Sequence, residues 1–179
     1  MKDFTTDTIA FEKDKPQTMK YAATHTNPDL NKGEAFRNNC QRCIFAYELI
    51  RRGYKVKAKP KKESNDKYCQ PNNWKELVAN DQYFEIFGNE KSIHALTKEG
   101  ERYAVIVVNQ KIGAGHTFII EKHGKKLYSI DPQTGERGVL HHYLQRMGLS
   151  DIASIGGIAT FRLDNKIFTN KILDIVEGV

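Results

Sequence analysis

The fold of this chain is organised around residues 38–53, which read NNCQRCIFAYELIRRG. Apolar side chains recur in this stretch at helical spacing, which predicts a helix over residues 39–52 with one apolar face. Asn38 and Asn39 are typical N-cap residues, because a short side-chain oxygen can accept an orphan backbone N–H. Gly53 is a typical residue for ending a helix. The stretch therefore predicts a helix with a defined start and a defined end.

The two cysteines of this helix are expected to differ in reactivity. Cys40 lies in the first predicted turn, where the positive end of the helix dipole favours the thiolate, the form that attacks carbon. Cys43 lies a turn later on the apolar side, so we expect it to be buried and inert. The position of Cys40 makes it a candidate nucleophile, and the candidate depends on a base and an orienting acid elsewhere in the chain.

A metal site is the alternative interpretation of these cysteines. Cys40 and Cys43 have the C-x-x-C spacing, and with a distant histidine they could form half of a zinc site. The sequence contains no second pair with ligand spacing, because Cys69 stands alone. Three cysteines in a chain of this length do not indicate a disulfide framework, and a reduced compartment with one working thiol fits better. We therefore expect neither zinc nor another cofactor.

Length and composition favour a single domain preceded by a polar arm. The chain has 179 residues, which is enough to bury a sizeable core. Residues 1–32 are polar and lack sustained periodicity, so we predict an N-terminal arm there and the catalytic domain over residues 33–179. No apolar run approaches transmembrane length, and no secretory signal is visible. The expected location is the cytoplasm, unless other components deliver the protein into a target cell or carry it in a virion.

The chain is basic, with a formal net charge of +6, and much of the excess lies in residues 51–67. A basic surface favours acidic partners. The simpler interpretation, which we prefer for most of these lysines, is a solvated strand edge and loop. The sequence contains no nucleic-acid-binding motif and no regular aromatic interleaving, so we expect no nucleic-acid partner, and we expect no membrane partner either.

Hydrophobic periodicity changes from helix to sheet after residue 102. Residues 103–108 form a continuous apolar run rich in β-branched side chains, which predicts a central strand. A helix followed by antiparallel strands is an α+β pattern. The further predicted strands cover residues 54–58, 116–121, 126–130 and 158–163, and the further predicted helices cover residues 74–79, 92–99, 139–147 and 171–177.

His116 is the histidine best placed to serve Cys40. It begins a predicted strand directly after the flexible bend of residues 113–115, where small residues let a substrate backbone approach. A hairpin that turns at residues 123–124 would place Asp131 opposite His116 on the neighbouring strand. The two side chains can then meet, and Asp131 can orient the imidazole that takes the proton of Cys40.

The predicted helix also resembles the opening motif of the papain-like toxin fold family, which is found in bacterial polymorphic toxins and in phage minor head proteins. The similar segments are NCQRC at residues 39–43, AYEL at residues 46–49 and RRGYKV at residues 51–56, with TNP upstream at residues 26–28. The resemblance extends over about residues 26–163. It implies a papain-like fold, in which an N-terminal helix carrying the cysteine packs on an antiparallel sheet carrying the histidine and the aspartate.

The resemblance implies that Cys40, His116 and Asp131 form a triad that hydrolyses protein amides. It favours glutamine deamidation by a toxin or effector whose substrate is a protein of a host or target cell, and an immunity protein could be a further partner. A cysteine peptidase or deubiquitinase of the same fold is an alternative, and a catalytically silent virion or interaction domain is another. Selective reaction of Cys40 with iodoacetamide would separate an active enzyme from a silent domain.

The sequence departs from the papain pattern at the oxyanion site, because no glutamine precedes Cys40 at close range. Asn38 or Asn39 could supply a side-chain donor there, together with the backbone N–H of Cys40. Gln133, which follows Asp131 closely, could instead line the substrate site. The sequence leaves the choice among these three side chains open.

Overall fold

The computed structural model of the chain describes residues 9–62, 66–80, 82–87, 89–109, 114–148 and 158–179. The α-helices are α1 (Met19–His25), α2 (Glu34–Arg37), α3 (Cys40–Arg51), α4 (Glu90–Leu96) and α5 (Leu140–Arg146). The strands are β1 (Val56–Ala58), β2 (Glu85–Phe87), β3 (Arg102–Asn109), β4 (Ala114–His123), β5 (Lys126–Asp131), β6 (Glu136–Val139), β7 (Ile158–Arg162) and β8 (Val176–Gly178). Short 3₁₀ helices cover Leu30–Lys32, Lys67–Cys69, Pro71–Leu77 and Asn170–Asp174.

The main sheet has six antiparallel strands in the order β2-β7-β3-β4-β5-β6. β3 lies inside it between β7 and β4, as its continuous apolar run predicts, and Ala104 and Val105 are buried. β1 pairs with β8 in a separate two-stranded ladder. Helices packed on an antiparallel sheet confirm the predicted α+β class.

Helix α3 is buried around its whole circumference, because every residue from Gln41 to Ile50 is buried. The polar members are paired in the core: Arg42 Nε donates to Asp66 Oδ2 over 3.1 Å, and Glu48 accepts from Arg102. The predicted single apolar face is therefore wrong, because ionic partners from elsewhere in the chain let the polar side chains enter the core.

The end of α3 agrees with the sequence. Gly53 adopts φ 100°, and its N–H donates to the carbonyl of Ile50 over 2.9 Å. A Cβ at this position would lie 2.2 Å from the carbonyl oxygen of Asp14. Both the left-handed backbone and the close approach of the arm therefore require glycine here.

The C-terminal segment does not form the helix predicted over residues 171–177. It forms a 3₁₀ helix, Asn170–Asp174, followed by β8, in which Val176 is buried and pairs with Ala58 of β1. Strand β1 needs a partner for its backbone, and this long-range pairing outweighs the local helical pattern. The helix predicted over residues 74–79 is likewise a 3₁₀ helix, Pro71–Leu77, and β6 was not predicted.

The described part of the N-terminal arm packs against the rest of the chain. Ala22 and Ala23 of α1 are buried, and the N–H of Ala58 donates to the carbonyl of Thr26 over 2.8 Å. The boundary at residue 33 stays a prediction, and residues 1–8 and Gly113 of the predicted bend lie outside the described residues. Among the described helices, none has both the length and the apolar character that crossing a bilayer requires.

Candidate active site

Cys40 is the first residue of α3, as predicted, and its thiol is partly exposed. The carbonyl of Asn39 accepts the N–H groups of Arg42 over 2.9 Å and Cys43 over 3.1 Å, but no side chain caps the helix. The positive end of the helix is therefore left open beside the thiol. Cys43 is fully buried, also as predicted, and burial raises the pKa of its thiol well above the usual value.

Asn39 does not cap α3 through its side chain, so this prediction is wrong. The side chain is fully buried, where its Nδ2 donates to the carbonyl of Lys59 over 3.1 Å and to Asn27 Oδ1 over 3.3 Å. Its Oδ1 accepts from Gln133 Nε2 over 3.4 Å and from Cys43 Sγ over 3.3 Å. Both N–H groups of the amide are used, and a buried amide needs these partners, so Asn39 is not available as an oxyanion donor.

The resulting amide cluster of Asn27, Asn39 and Gln133 joins three distant segments beneath the site. Asn27 Nδ2 donates to the backbone carbonyls of Phe36 over 2.9 Å and Gln133 over 3.0 Å. The N-terminal arm is thereby tied to the start of α3 and to the turn after β5. In the sequence, Asn27 is marked only as part of the TNP segment, and no local pattern identifies its hydrogen-bond partners.

His116 lies near the start of β4, and its Nε2 is 2.9 Å from Oδ2 of Asp131 at the end of β5. The predicted hairpin register is wrong, because His123 pairs with Lys126 and the turn with Gly124 at φ 59° comes later than expected. The register shifts by two residues, so Asp131 lies diagonal to His116 rather than opposite it. A shift of two keeps both side chains on the same face of the sheet, which is why they still meet.

His116 and Cys40 line the same cavity, which has a volume of about 320 Å³. Because Asp131 occupies Nε2, the other ring nitrogen, Nδ1, is left for the thiol. Burial by itself lowers the pKa of His116, but hydrogen bonding and charge from Asp131 and Cys40 together raise it from 6.5 to about 10. The imidazolium form is therefore favoured at neutral pH, and in this form His116 can donate a proton next to the sulfur.

Asp131 is buried and accepts three hydrogen bonds. In addition to His116, Tyr143 of α5 donates its hydroxyl to Oδ2 over 3.0 Å, and the backbone N–H of Gln133 donates to Oδ1 over 3.1 Å. Burial, followed by the charge of Asp131, raises the pKa of Tyr143. Tyr143 was missed from the sequence. Its place on the apolar face of the predicted helix signals burial, but nothing in that pattern identifies a carboxylate partner.

Three amide side chains lie on the cavity wall: Asn38, Gln41 and Gln133. Gln41 was not predicted, although it directly follows the nucleophile candidate. Its Oε1 accepts from Cys40 Sγ over 3.5 Å, and its Nε2 lies 2.7 Å from the sulfur of Cys69, which also lines the cavity. Of the predicted oxyanion and substrate residues, the fold therefore brings Asn38 and Gln133 to the cavity and holds Asn39 beneath it.

The surroundings of the cysteines do not suit a shared metal ion. Cys40 opens onto the cavity, whereas Cys43 is directed into the core toward Asn39. All three cysteines are free thiols. In the described parts of the chain, no group of three or more His, Cys, Asp or Glu side chains is arranged to hold a metal ion.

Comparison with protein families gives a match that covers the proposed site residues. The sequence model of the family described as papain fold toxin 1, glutamine deamidase, matches residues 38–136, which is just over half of the chain. The matched segment contains Cys40, His116 and Asp131. No curated protein and no solved structure matches the chain at a significant level.

Proposed function

The chain belongs to the papain fold toxin 1, glutamine deamidase family, and from this premise we propose that it is a cysteine hydrolase that deamidates glutamine side chains of a target-cell protein. Cys40 is the nucleophile, His116 the acid and base, and Asp131 the group that orients the imidazole. The observation that carries the proposal is the His116–Asp131 hydrogen bond of 2.9 Å at the wall of the cavity that Cys40 also lines.

The first half of the reaction transfers the glutamyl group to sulfur. The thiolate of Cys40 attacks the side-chain amide carbon of glutamine, and the carbonyl oxygen becomes an oxyanion. His116, protonated at neutral pH, gives its proton to the amide nitrogen, and ammonia leaves as the carbonyl reforms. The product of this half-reaction is a thioester between the substrate and Cys40.

The second half of the reaction hydrolyses the thioester. His116, now neutral, takes a proton from water, and the resulting hydroxide attacks the thioester carbon. The sulfur of Cys40 leaves as thiolate and His116 is protonated again, so glutamate is released and the starting ion pair is restored. The overall change consumes one water and releases one ammonia, which takes up the proton of the new carboxylic acid as ammonium, so a neutral side chain becomes an anion.

Oxyanion stabilisation comes from the start of α3 and from a side-chain amide on the cavity wall. Cys40 is the first residue of α3, where the backbone N–H has no acceptor within the helix, so this N–H can donate to the oxyanion. Asn38 and Gln133 are the amides that can supply a second donor, because both line the cavity. Gly115 lines the same cavity beside His116, where the lack of a side chain lets the substrate approach closely.

Intact mass spectrometry of candidate target proteins tests this proposal. Wild-type protein should leave the target chain whole and replace an amide by a carboxyl group, with ammonia released in equal amount. Cys40→Ala and His116→Ala should each lower the rate at least about 10³-fold, because each removes a participant in bond making. Cys43→Ala is the matched control, since it removes a buried thiol that does not line the cavity, and it should stay active.

Three other outcomes would reject the proposal in different ways. Fragmentation of the target would indicate a peptidase or deubiquitinase with the same three residues. Full activity of folded Cys40→Ala, with unchanged circular dichroism, would exclude Cys40 as the nucleophile. A Cys40 thiol that iodoacetamide modifies no faster than Cys69 would favour a catalytically silent interaction domain.

A further inference from the structure

Two cations lie on the wall of the proposed active site. Arg37, the last residue of α2, and Lys61 both line the cavity that contains Cys40. Among the described residues, neither side chain forms an ion pair or a hydrogen bond with another group. None of the described residues lining this cavity is Asp or Glu. The wall of the cavity that contains Cys40 therefore carries positive charge, and none of its described lining residues is a carboxylate counter-ion.

The three lysines that precede Lys61 in the basic stretch differ from it, because each of them has a partner. Lys55 pairs with Glu12, and Lys57 Nζ pairs with Asp29 over 2.7 Å. Lys59 donates to the carbonyl of Leu173. The preferred interpretation of this stretch as ordinary surface thus suits these three lysines, whereas the charge of Lys61 is free to meet a ligand.

A backbone hydrogen bond joins the two segments that carry these cations. The N–H of Lys61 donates to the carbonyl of Ala35 in α2 over 2.8 Å, so the segment that follows β1 is fastened to the helix that carries Arg37. Arg37 precedes Cys40 by only three residues. Lys61 also acts on Cys69 across the cavity: burial raises the pKa of that thiol, and the charge of Lys61 opposes the shift.

We propose that Arg37 and Lys61 select glutamines that lie in acidic segments of the target protein. This inference rests on the proposed deamidase function and adds the substrate class. Carboxylates flanking the target glutamine would approach two cations that have no partner in the described part of the chain, whereas flanking lysines or arginines would be repelled by them. Because the cations line the cavity that contains the reacting sulfur, they act on residues adjacent to the glutamine in sequence or on the folded surface.

Two reactive peptides test the substrate class directly. In each, a chloromethyl group replaces the amide NH₂ of glutamine, and the thiolate of Cys40 displaces chloride to form a thioether. Glutamates flank the modified residue in the acidic probe and lysines flank it in the basic probe. At low salt, the acidic probe should label Cys40 about tenfold faster than the basic probe, and the ratio should fall toward one at high salt.

Two double variants test whether Arg37 and Lys61 cause the difference between the two labelling rates. Arg37→Gln/Lys61→Gln should reduce the ratio of the two labelling rates to within about twofold, chiefly by speeding the basic probe and slowing the acidic probe. Lys125→Gln/Lys126→Gln removes the same charge from exposed positions at the far end of the β4–β5 hairpin and should leave the ratio unchanged.

The outcomes separate this inference from the proposed function. Equal labelling of Cys40 by both probes in the wild type would overturn the acidic substrate class and leave Cys40 as the nucleophile. A ratio that persists in Arg37→Gln/Lys61→Gln would overturn the assignment to these two cations. A Cys40 that neither probe labels would overturn the proposed function, and the inference with it.

Discussion

The two ends of the contact between α3 and the sheet use buried polar groups in opposite ways. At the start of the helix, Cys40 lies beside His116 of β4 at an open cavity. Farther along the same two elements, Tyr47 and Arg51 donate to Glu121 of β4, which is fully buried. The same helix and strand thus carry a reactive end and an ionic end.

At the ionic end, every carboxylate oxygen has a donor. Glu48 accepts from Arg52 Nε over 2.8 Å and from Arg102 Nε over 2.6 Å. Glu121 accepts from Tyr47 over 2.9 Å and from Arg51 and His123. Carboxylates that are buried and saturated in this way have nothing left with which to bind a ligand, and their contribution is to hold α3 on the sheet.

At the reactive end, several groups are left available. The helix start has no side-chain cap, two cations have no partner among the described residues, and the thiol faces a cavity. Only the support of the site is saturated, through Asp131 and the amide cluster. The difference teaches that the same helix and strand can hold one end closed by buried ion pairs and leave groups at the other end available to a substrate.

Breaking the ionic end should produce the largest effect on stability. Glu48→Gln removes the Glu48 charge from its ion pairs with the partly buried Arg52 and Arg102, which should cost about 3–5 kcal/mol of unfolding free energy. Urea denaturation followed by circular dichroism measures this loss. In the fraction that remains folded, alkylation of Cys40 should keep its wild-type rate, because the substitution lies at the other end of α3.

The control for Glu48→Gln is an exposed ion pair of the same chemistry. Glu12→Gln removes the partner of Lys55 on the surface, where solvent screening leaves an ion pair with little effect on stability. Equal destabilisation by the two substitutions would contradict the view that burial makes the ionic end strong. A selective loss of Cys40 reactivity in Glu48→Gln would contradict the independence of the two ends.

The two ends also differ in how far they could be predicted from sequence. The reactive end depends on local signals, which are a helix start at Cys40, a strand after small residues, and a hairpin. The predicted pairing of the hairpin is wrong by two residues, but a shift of two leaves each side chain on the same face of the sheet. The ionic end depends on partners far apart in the chain, such as Glu48 with Arg102, and periodicity does not report such pairs. The sequence pattern likewise predicts a helix where β8 lies, because the conformation of this strand is determined by its long-range pairing with β1.

Asp131→Asn should have an intermediate effect at the reactive end. The amide oxygen of asparagine can still accept from His116, but the charge that favours the imidazolium is lost, so activity should fall about 10- to 100-fold, or about 1.4–2.7 kcal/mol in transition-state free energy. The pKa of His116 should also fall from about 10 toward its ordinary value. The alkaline limb of the activity profile should therefore move to lower pH.

The pH dependence of stability gives a second measurement on the same variant. Because the pKa of His116 is raised from 6.5 to about 10 in the folded protein, protonation of His116 stabilises the fold fully below pH 6.5. This contribution is lost as the pH rises through about 10. In Asp131→Asn, urea midpoints at pH 6 and pH 10 should differ less than in the wild type. An unchanged difference would mean that Asp131 does not set the charge of His116.

Tyr143→Phe should have the smallest effect, and it tests whether the support of Asp131 matters for chemistry as well as for packing. Phenylalanine keeps the ring contact with Phe118, whose centroid lies 4.6 Å away, and removes only the hydroxyl that donates to Asp131 over 3.0 Å. We expect a loss of about 1 kcal/mol in stability and a fewfold loss in activity. Tyr103→Phe is the matched control, because that buried hydroxyl donates to Glu101 over 3.1 Å away from the site. If both variants lose the same stability and only Tyr143→Phe loses activity, Tyr143 is a positioning residue. If activity and its pH profile are unchanged in both variants, the hydroxyl of Tyr143 has a purely structural role.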